Sequence, residues 1–397
     1  MVNYMKNKIL LIIVLILLGY LIFISKEKDI KKKEETSVVE KRAIFISYIE
    51  LQKYLKDKDE KTAKENINKI INNLRKLKFN FILLQVRSFS DAIYESSYYP
   101  WSKTISSTEG DTYSFDVLDY FIKISHENDI ELHAWINPYR IRTTSNINDI
   151  SKTNPAYKLL NTNDVDISDK GIYYNPASTT VQKLILDGVE EILKKYDVDG
   201  IHYDDYFYPN LDIDNKNYEE YIKNNDEITK EEFHLLMVNN LVKETYKLTK
   251  KYNVSFGISP EGNIKNNYTR NQADVYTWGS SNEYVDYLMP QIYYGFENES
   301  APFYDVLNEW NNLVKNSKVK IIPALAFYKI NQKDIYAKKG ENEWIENNDI
   351  IYRQIILSRN IESYAGFSIF RYDSVFNEEQ TIAVNQEIKN MKKAIEN

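Results

Sequence analysis

From residue 42 onward, apolar runs of strand length alternate with stretches whose apolar positions recur at helical spacing. The runs are RAIFISYIE at 42, FNFILLQVR at 79, IELHAWINPYR at 130, DGIHYDDYF at 199, VSFGISPEGN at 254, YVDYLMPQIYYGF at 284, VKIIPALAFYKI at 319 and AGFSIFRYD at 365. Between them, Ile67, Ile70, Ile71, Leu74 and Leu77 share one predicted helix face, as do Val181, Leu184, Ile185, Val189, Ile192 and Leu193. Strands alternating with helices imply parallel pairing through crossovers, and eight such units predict an α/β fold closed as a (β/α)8 TIM barrel. An open doubly wound sheet is the competing architecture. It would place a Gly-rich phosphate loop after its first strand, and YIELQKYLKDKDE at 48 contains no glycine.

Successive strand residues point to opposite faces, so each run can be phased. Taking the uninterrupted aliphatic series as helix-facing gives Ile82, Leu84, Val86; Leu132, Ala134, Ile136; Ile201, Tyr203; Val254, Phe256, Ile258; and Leu288, Pro290, Ile292. The inward series then reads Leu83, Gln85, Arg87; His133, Trp135, Asn137, Tyr139; Gly200, His202, Asp204, Tyr206; Ser255, Gly257, Ser259, Glu261; and Met289, Gln291, Tyr293. On this phasing Asp204 points into the barrel mouth and Asp205 away from it. Polar groups converge at the C-terminal ends of at least five strands, where barrel enzymes carry their sites. Burying so many without water or a ligand would be costly.

The first 41 residues differ in kind. Residues 9–24, ILLIIVLILLGYLIFI, are wholly apolar, follow Lys6 and Lys8, and run into SKEKDIKKKEE without a small-residue cleavage site. As a helix they span about 24 Å, short of the ~30 Å hydrocarbon core but extendable by flanking residues. The reading is a membrane signal anchor over 1–25, a charged tether over 26–41 and one barrel over 42–397, with the N-terminus inside and the barrel extracellular at the cell membrane. Segment 1–41 holds eight Lys and five Asp or Glu, so of the chain's 51 basic and 58 acidic residues 43 and 53 remain for the barrel. An acidic body is a poor partner for nucleic acid phosphates, and none is expected. The chain has no cysteine, which removes disulfides, thiolate metal sites and a thiol nucleophile.

Chemistry narrows further by elimination. His126, His133, His202 and His234 show no metal-ligand spacing, and GISPEG at 257 is not a serine-nucleophile turn, so no metal or cofactor is expected. Two inward carboxylates remain on neighbouring strands, Asp204 and Glu261. A carboxylate pair across a scissile bond is the machinery of glycoside hydrolysis. Trp135, Tyr139, Tyr206, Tyr293 and Tyr294 offer faces for sugar stacking, and Gln85, Arg87, Asn137 and Gln291 offer hydrogen bonds to hydroxyls. His133, Arg140, His202 and Asp205 complete the expected binding set.

QVRSFSDAIYESSYYPWS at 85, HAWINPYR at 133, YNPAS at 174, DGIHYDDYFYP at 199, GISPEGNI at 257 and DYLMPQIYYGF at 286 together resemble the bacterial glycoside-hydrolase-like family 10. The resemblance covers nearly all of the chain after residue 42. It implies a (β/α)8 barrel on an envelope protein acting on cell-wall or other extracellular glycans. Residue by residue it marks Asp204 and Asp205, Gln85 and Arg87, and Gln291 and Tyr293. Chitinase-type barrels carry D-G-x-D-x-D-x-E; aligned on Asp199 and Gly200, this chain has Tyr206 where the proton-donating Glu would stand. The donor is therefore sought on the next strand. The expectation is a membrane-anchored glycosidase acting on the glycan strands of peptidoglycan, with Asp204 as nucleophile or base and Glu261 as proton donor. A barrel that binds glycan or scaffolds the wall without cleaving is the alternative.

Overall fold

The computed structural model describes residues 39–205, 207–224 and 228–396. The anchor, nearly all of the tether, and Tyr206 lie outside them. Among the described residues no helix is long and apolar enough to cross a membrane.

All eight strand-like runs form parallel strands: β1 Lys41–Ile46, β2 Phe81–Arg87, β3 Glu131–Ile136, β4 Gly200–Tyr203, β5 Ser255–Ile258, β6 Tyr287–Leu288, β7 in two pieces, Lys320–Ile321 and Ala324–Leu325, and β8 Gly366–Ile369. The sheet runs β7-β6-β5-β4-β3-β2-β1-β8 and returns to β7. Pro323, which has no N–H, divides β7. On one side of it Ala324 N donates to Pro290 O at 2.9 Å. On the other, Ser368 N donates to Pro323 O at 2.9 Å and Phe370 N to Leu325 O at 3.0 Å. The curled sheet thus meets itself on one stretch of chain.

The predicted phase holds across the strands. Ile82, Leu84, Val86, Leu132, Ala134, Ile136, Ile201, Tyr203, Phe256, Ile258, Leu288 and Ile292 all pack in the large core between sheet and helices. Leu83, Trp135 and Met289 pack with Phe45, Phe81, Tyr287 and Ile322 in a second, smaller core inside the barrel. The helix Glu60–Lys76 buries Ile67, Ile70, Ile71 and Leu74, and the helix Thr179–Lys195 buries Val181, Ile185, Val189 and Ile192. Small inward residues make room for rings. A Cβ at Gly257 would collide with the Tyr287 ring, and one at Gly200 with His133.

Two loops after the strands are structured. After β3 the chain makes a three-stranded antiparallel sheet from Arg140–Arg142, Val165–Ser168 and Gly171–Tyr174. After β1, Ser47 and Glu50 form a capping box at the start of the helix Tyr48–Leu55, which fixes Tyr48 at the rim of the mouth.

Candidate active site

At the mouth a hydrogen-bond relay of defined direction ends on Asp204. The Tyr48 backbone N–H donates to Gln85 Oε1 at 2.9 Å, and a backbone N–H can only donate. Gln85 therefore presents Nε2 to Asn137 Oδ1 at 2.6 Å, and Asn137 in turn presents Nδ2 to Asp204 Oδ2 at 3.0 Å. Gln291, held by the Ser259 carbonyl at 3.0 Å, places its amide 3.4 Å from Asp204 Oδ1, and the Asp205 N–H donates to the same oxygen at 3.0 Å. Every one of these neighbours is a donor, which suits an acceptor-only carboxylate. Gln85 and Asn137 are about 1% exposed, so their orientations are locked, while Asp204 itself is half-exposed at the mouth.

Asp205 takes an unexpected position. β4 ends at Tyr203, so strand alternation no longer governs residue 205. Its carboxyl, expected to point away, turns toward the site: it hydrogen-bonds Asp204 and feels the charge of Glu261. Burial, followed by the Asp204 charge and that hydrogen bond, pushes its pKa well above the carboxylate range. Its Oδ1 is shut off from solvent and has no hydrogen-bond partner among the described residues. Glu261 sits at the end of β5, half-buried, with Oε1 accepting from Asn266 Nδ2 at 2.6 Å and Oε2 from Asn271 Nδ2 at 3.2 Å. Both its oxygens are thus engaged by its own loop.

The other expected residues separate by depth. Tyr293 is inward and shares an aromatic wall with Tyr328 and Phe370, ring centroids 5.6–6.1 Å apart. Trp135, 4% exposed, forms the floor against Phe45 at 5.3 Å. His133 and His202 lie deeper. Each Nδ1 meets the Tyr287 hydroxyl at 2.9 Å, and His202 Nε2 meets Ser259 Oγ at 2.6 Å. Burial holds both imidazoles neutral, lowering His202 to about 3 and His133 well below its ordinary value. Tyr294 borders the outer core near Glu261, and Arg140 donates to the Ser88 carbonyl at 2.9 Å while lying over Phe89.

Two inward assignments are corrected. A bulge after Gln85 sets Arg87 opposite Ile136, a helix-facing position. Arg87 accordingly points between strand and helix, its guanidinium 4.3 Å from the Tyr99 ring and close to Gly188 of the helix Thr179–Lys195. Tyr139 follows Pro138, where β3 has already ended, and is fully buried in the outer core. Neither side chain reaches the mouth. Tyr328 and Phe370, which do, come from the ends of β7 and β8; their signal was the aromatic residues closing the runs at 319 and 365.

The profile of the glycosyl hydrolase-like 10 family matches residues 40–346. The chain is 33% identical over 330 residues to glycosyl hydrolase YngK of Bacillus subtilis, covering 77% of this chain and 62% of that protein. It is 28% identical over 331 residues to glycosyl hydrolase DigH of Escherichia coli, covering 76% and 74%. It thus spans less than two thirds of YngK. Among solved structures, the PgaB (BpsB) glycoside hydrolase domain of Bordetella bronchiseptica superposes with a TM-score of 0.54 at 12% identity, over 88% of this chain and 98% of that one. At that identity the likeness concerns the fold.

Proposed function

Because the chain belongs to the glycosyl hydrolase-like 10 family, we propose that it is a glycosidase whose two-carboxylate chemistry is carried by Asp204 at the end of β4 and Glu261 after β5, with Asp205 supporting Asp204. The single observation behind this reading is the asymmetry of the two aspartates. Asp204 accepts from amide donors on both oxygens, whereas half-buried Asp205 beside it has its pKa raised by desolvation and by the Asp204 charge. Asp204 acts as nucleophile or base on the sugar carbon, and Asp205, hydrogen-bonded to it, orients and supports it. The proton donor in this proposal is Glu261, whose oxygens each accept a single amide bond, from Asn266 and Asn271, that holds it in place. Tyr293, Tyr328 and Phe370 form the wall on which a sugar ring stacks.

The substrate in this proposal is a polysaccharide of the cell wall, the glycan of peptidoglycan first, with the barrel displayed outside the membrane by the apolar stretch 9–24. A non-catalytic glycan-binding role is the second reading, favoured if Asp205 serves only to shape the loop. Incubating the protein with purified wall glycans and analysing the products by mass spectrometry separates the two. Shortened glycans that the Asp204→Asn variant does not produce support hydrolysis; binding without any product supports the second reading.

A further inference from the structure

The segments that follow β3, β4 and β5 enclose a cavity of about 480 Å³, within the roughly 300–1,000 Å³ usual for ligand pockets. Its walls are Lys170 and Tyr173 of the hairpin after β3, residues 207–211 after β4 and residues 269–271 after β5. It therefore lies on the same face of the barrel as Asp204 and Glu261. Each wall is fixed by its own contacts. Gly171 turns the hairpin at φ +128°, where a Cβ would stand 2.3 Å from the Arg142 carbonyl oxygen, and the Tyr173 hydroxyl donates to the Lys170 carbonyl at 3.0 Å. Tyr208 donates to buried Asp214, and Asn210 Nδ2 to Asp166 Oδ2 at 3.2 Å. Arg270 stands on the loop that holds Glu261. Asn266 and Asn271 bond the two Glu261 carboxylate oxygens, Asn267 Oδ1 accepts from the Glu261 backbone N–H at 3.0 Å, and the Arg270 N–H donates to the Asn266 carbonyl at 2.9 Å.

What the walls leave uncommitted is cationic. The side chains of Lys170 and Arg270 are exposed and make no hydrogen bond or ion pair among the described residues, and no Asp or Glu lines the cavity. Elsewhere the cations of this barrel pair with neighbouring carboxylates, as Lys251 does with Glu190 at 2.9 Å and Lys250 with Asp286 at 2.6 Å. The barrel as a whole is acidic, its 53 acidic residues outnumbering 43 basic ones, so it repels an anion that no local cation meets. A planar guanidinium and an ammonium lining one cavity select oxygens that carry negative charge, those of a carboxylate or a phosphate. Asn271, which also lines the cavity, touches Glu261, so the cavity adjoins the reacting groups.

We propose that this cavity is a subsite for an acidic sugar, in which a carboxylate or phosphate ester of the glycan accepts from Lys170 and Arg270 while the neighbouring linkage lies at Asp204 and Glu261. It rests on the reading that the mouth cleaves a glycan, and names the class of sugar that glycan carries. Three probes of one length are titrated calorimetrically into the full chain carrying Asp204→Asn. They are a neutral β-1,4-linked N-acetylglucosamine oligosaccharide, the same backbone with a lactyl carboxylate on alternate sugars, and its 6-O-phosphorylated form. At least one acidic probe should bind about tenfold tighter than the neutral one, as a charge-assisted contact gives, and that preference should shrink as salt rises. Which acidic probe gains tells carboxylate from phosphate. Combining Lys170→Gln with Arg270→Gln should reduce the preference to about twofold or less. Both side chains are exposed, and thermal unfolding checks that the double variant is folded. Equal affinity for all three probes overturns the subsite, as does a preference that survives in the folded double variant, or no binding at all. Hydrolysis by the unmodified chain is scored separately. Cleavage of acidic and neutral glycans at like rates removes the subsite and spares the glycosidase reading; acid-selective binding without any cleavage does the reverse.

Discussion

The barrel interior has two levels built from similar residue types to opposite ends. The lower holds Phe45, Phe81, Leu83, Trp135 and Met289 around His133, His202 and Tyr287. The upper holds Gln85, Asn137 and Gln291 around Asp204 and Asp205. Below, burial removes charge by keeping imidazoles neutral; above, amide donors surround Asp204, while desolvation and the Asp204 charge raise the pKa of Asp205. The difference shows that a polar residue pointing into a barrel is a reagent only where its neighbours leave it something to exchange.

The largest effect separating the levels is expected from Asp204→Asn, which should lower kcat by roughly 10³-fold or more in steady-state assays with the fold intact by circular dichroism. Asp205→Asn comes next, with a loss of about 10²-fold or more. In the unmodified enzyme kcat/KM should fall as pH rises through the raised pKa of Asp205, and that alkaline limb should vanish in the variant. The sign for stability agrees. A carboxyl raised on folding contributes stability below its ordinary value, lost as pH rises through the folded one, so Asp205→Asn should unfold at higher temperature than the parent in mildly alkaline buffer. Glu261→Gln keeps one of the two acceptors that Asn266 and Asn271 use and removes the ionisable proton, so it should also cost about 10²-fold in kcat. A loss smaller than about tenfold would take the donor role away from Glu261.

The smallest kinetic effect belongs to the lower level. His202→Gln should leave kcat within about threefold, yet lower Tm by several degrees, because Tyr287 and Ser259 lose partners worth about 1–3 kcal/mol when left unpaired. His202 is depressed on folding from 6.5 to about 3, so its contribution is complete above pH 6.5 and drains away as pH falls toward 3. Acid unfolding followed by fluorescence should therefore be less steep in His202→Gln. The two levels fail at opposite ends of the pH scale, and a histidine variant that behaved like the aspartate variants would erase the distinction.

Sequence pattern alone carried the eight strands and their inward and outward faces, because aliphatic alternation is a burial signal and both cores depend on it. It carried Gln85 for the same reason, and it also placed Asp204, Asn137 and Gln291, which stand one to three residues past their strands, at the mouth. It misplaced Arg87 through a bulge that adds one residue to β2, and Tyr139 and Asp205 because β3 and β4 stop before them. Beyond a strand end the side-chain direction is set by loop geometry and by tertiary neighbours, which period-two reasoning does not contain. The neutral state of His133 and His202 was hidden too, since it depends on how deep each strand position lies.

The pairing of β1 with β8 has a consequence for how the chain is made. Lys41–Ile44 register against Gly366–Ile369, so the first strand of the barrel to leave the ribosome waits for the last to complete its neighbours. Until then its edge offers free backbone groups to any extended segment, and synthesis at about 5–20 residues per second leaves it so for tens of seconds. Residues 366–369 lie past the segment shared with the family profile, which ends at 346. A version of the protein trimmed to that segment would carry this open edge permanently, and aggregation rather than a smaller working barrel is its expected fate.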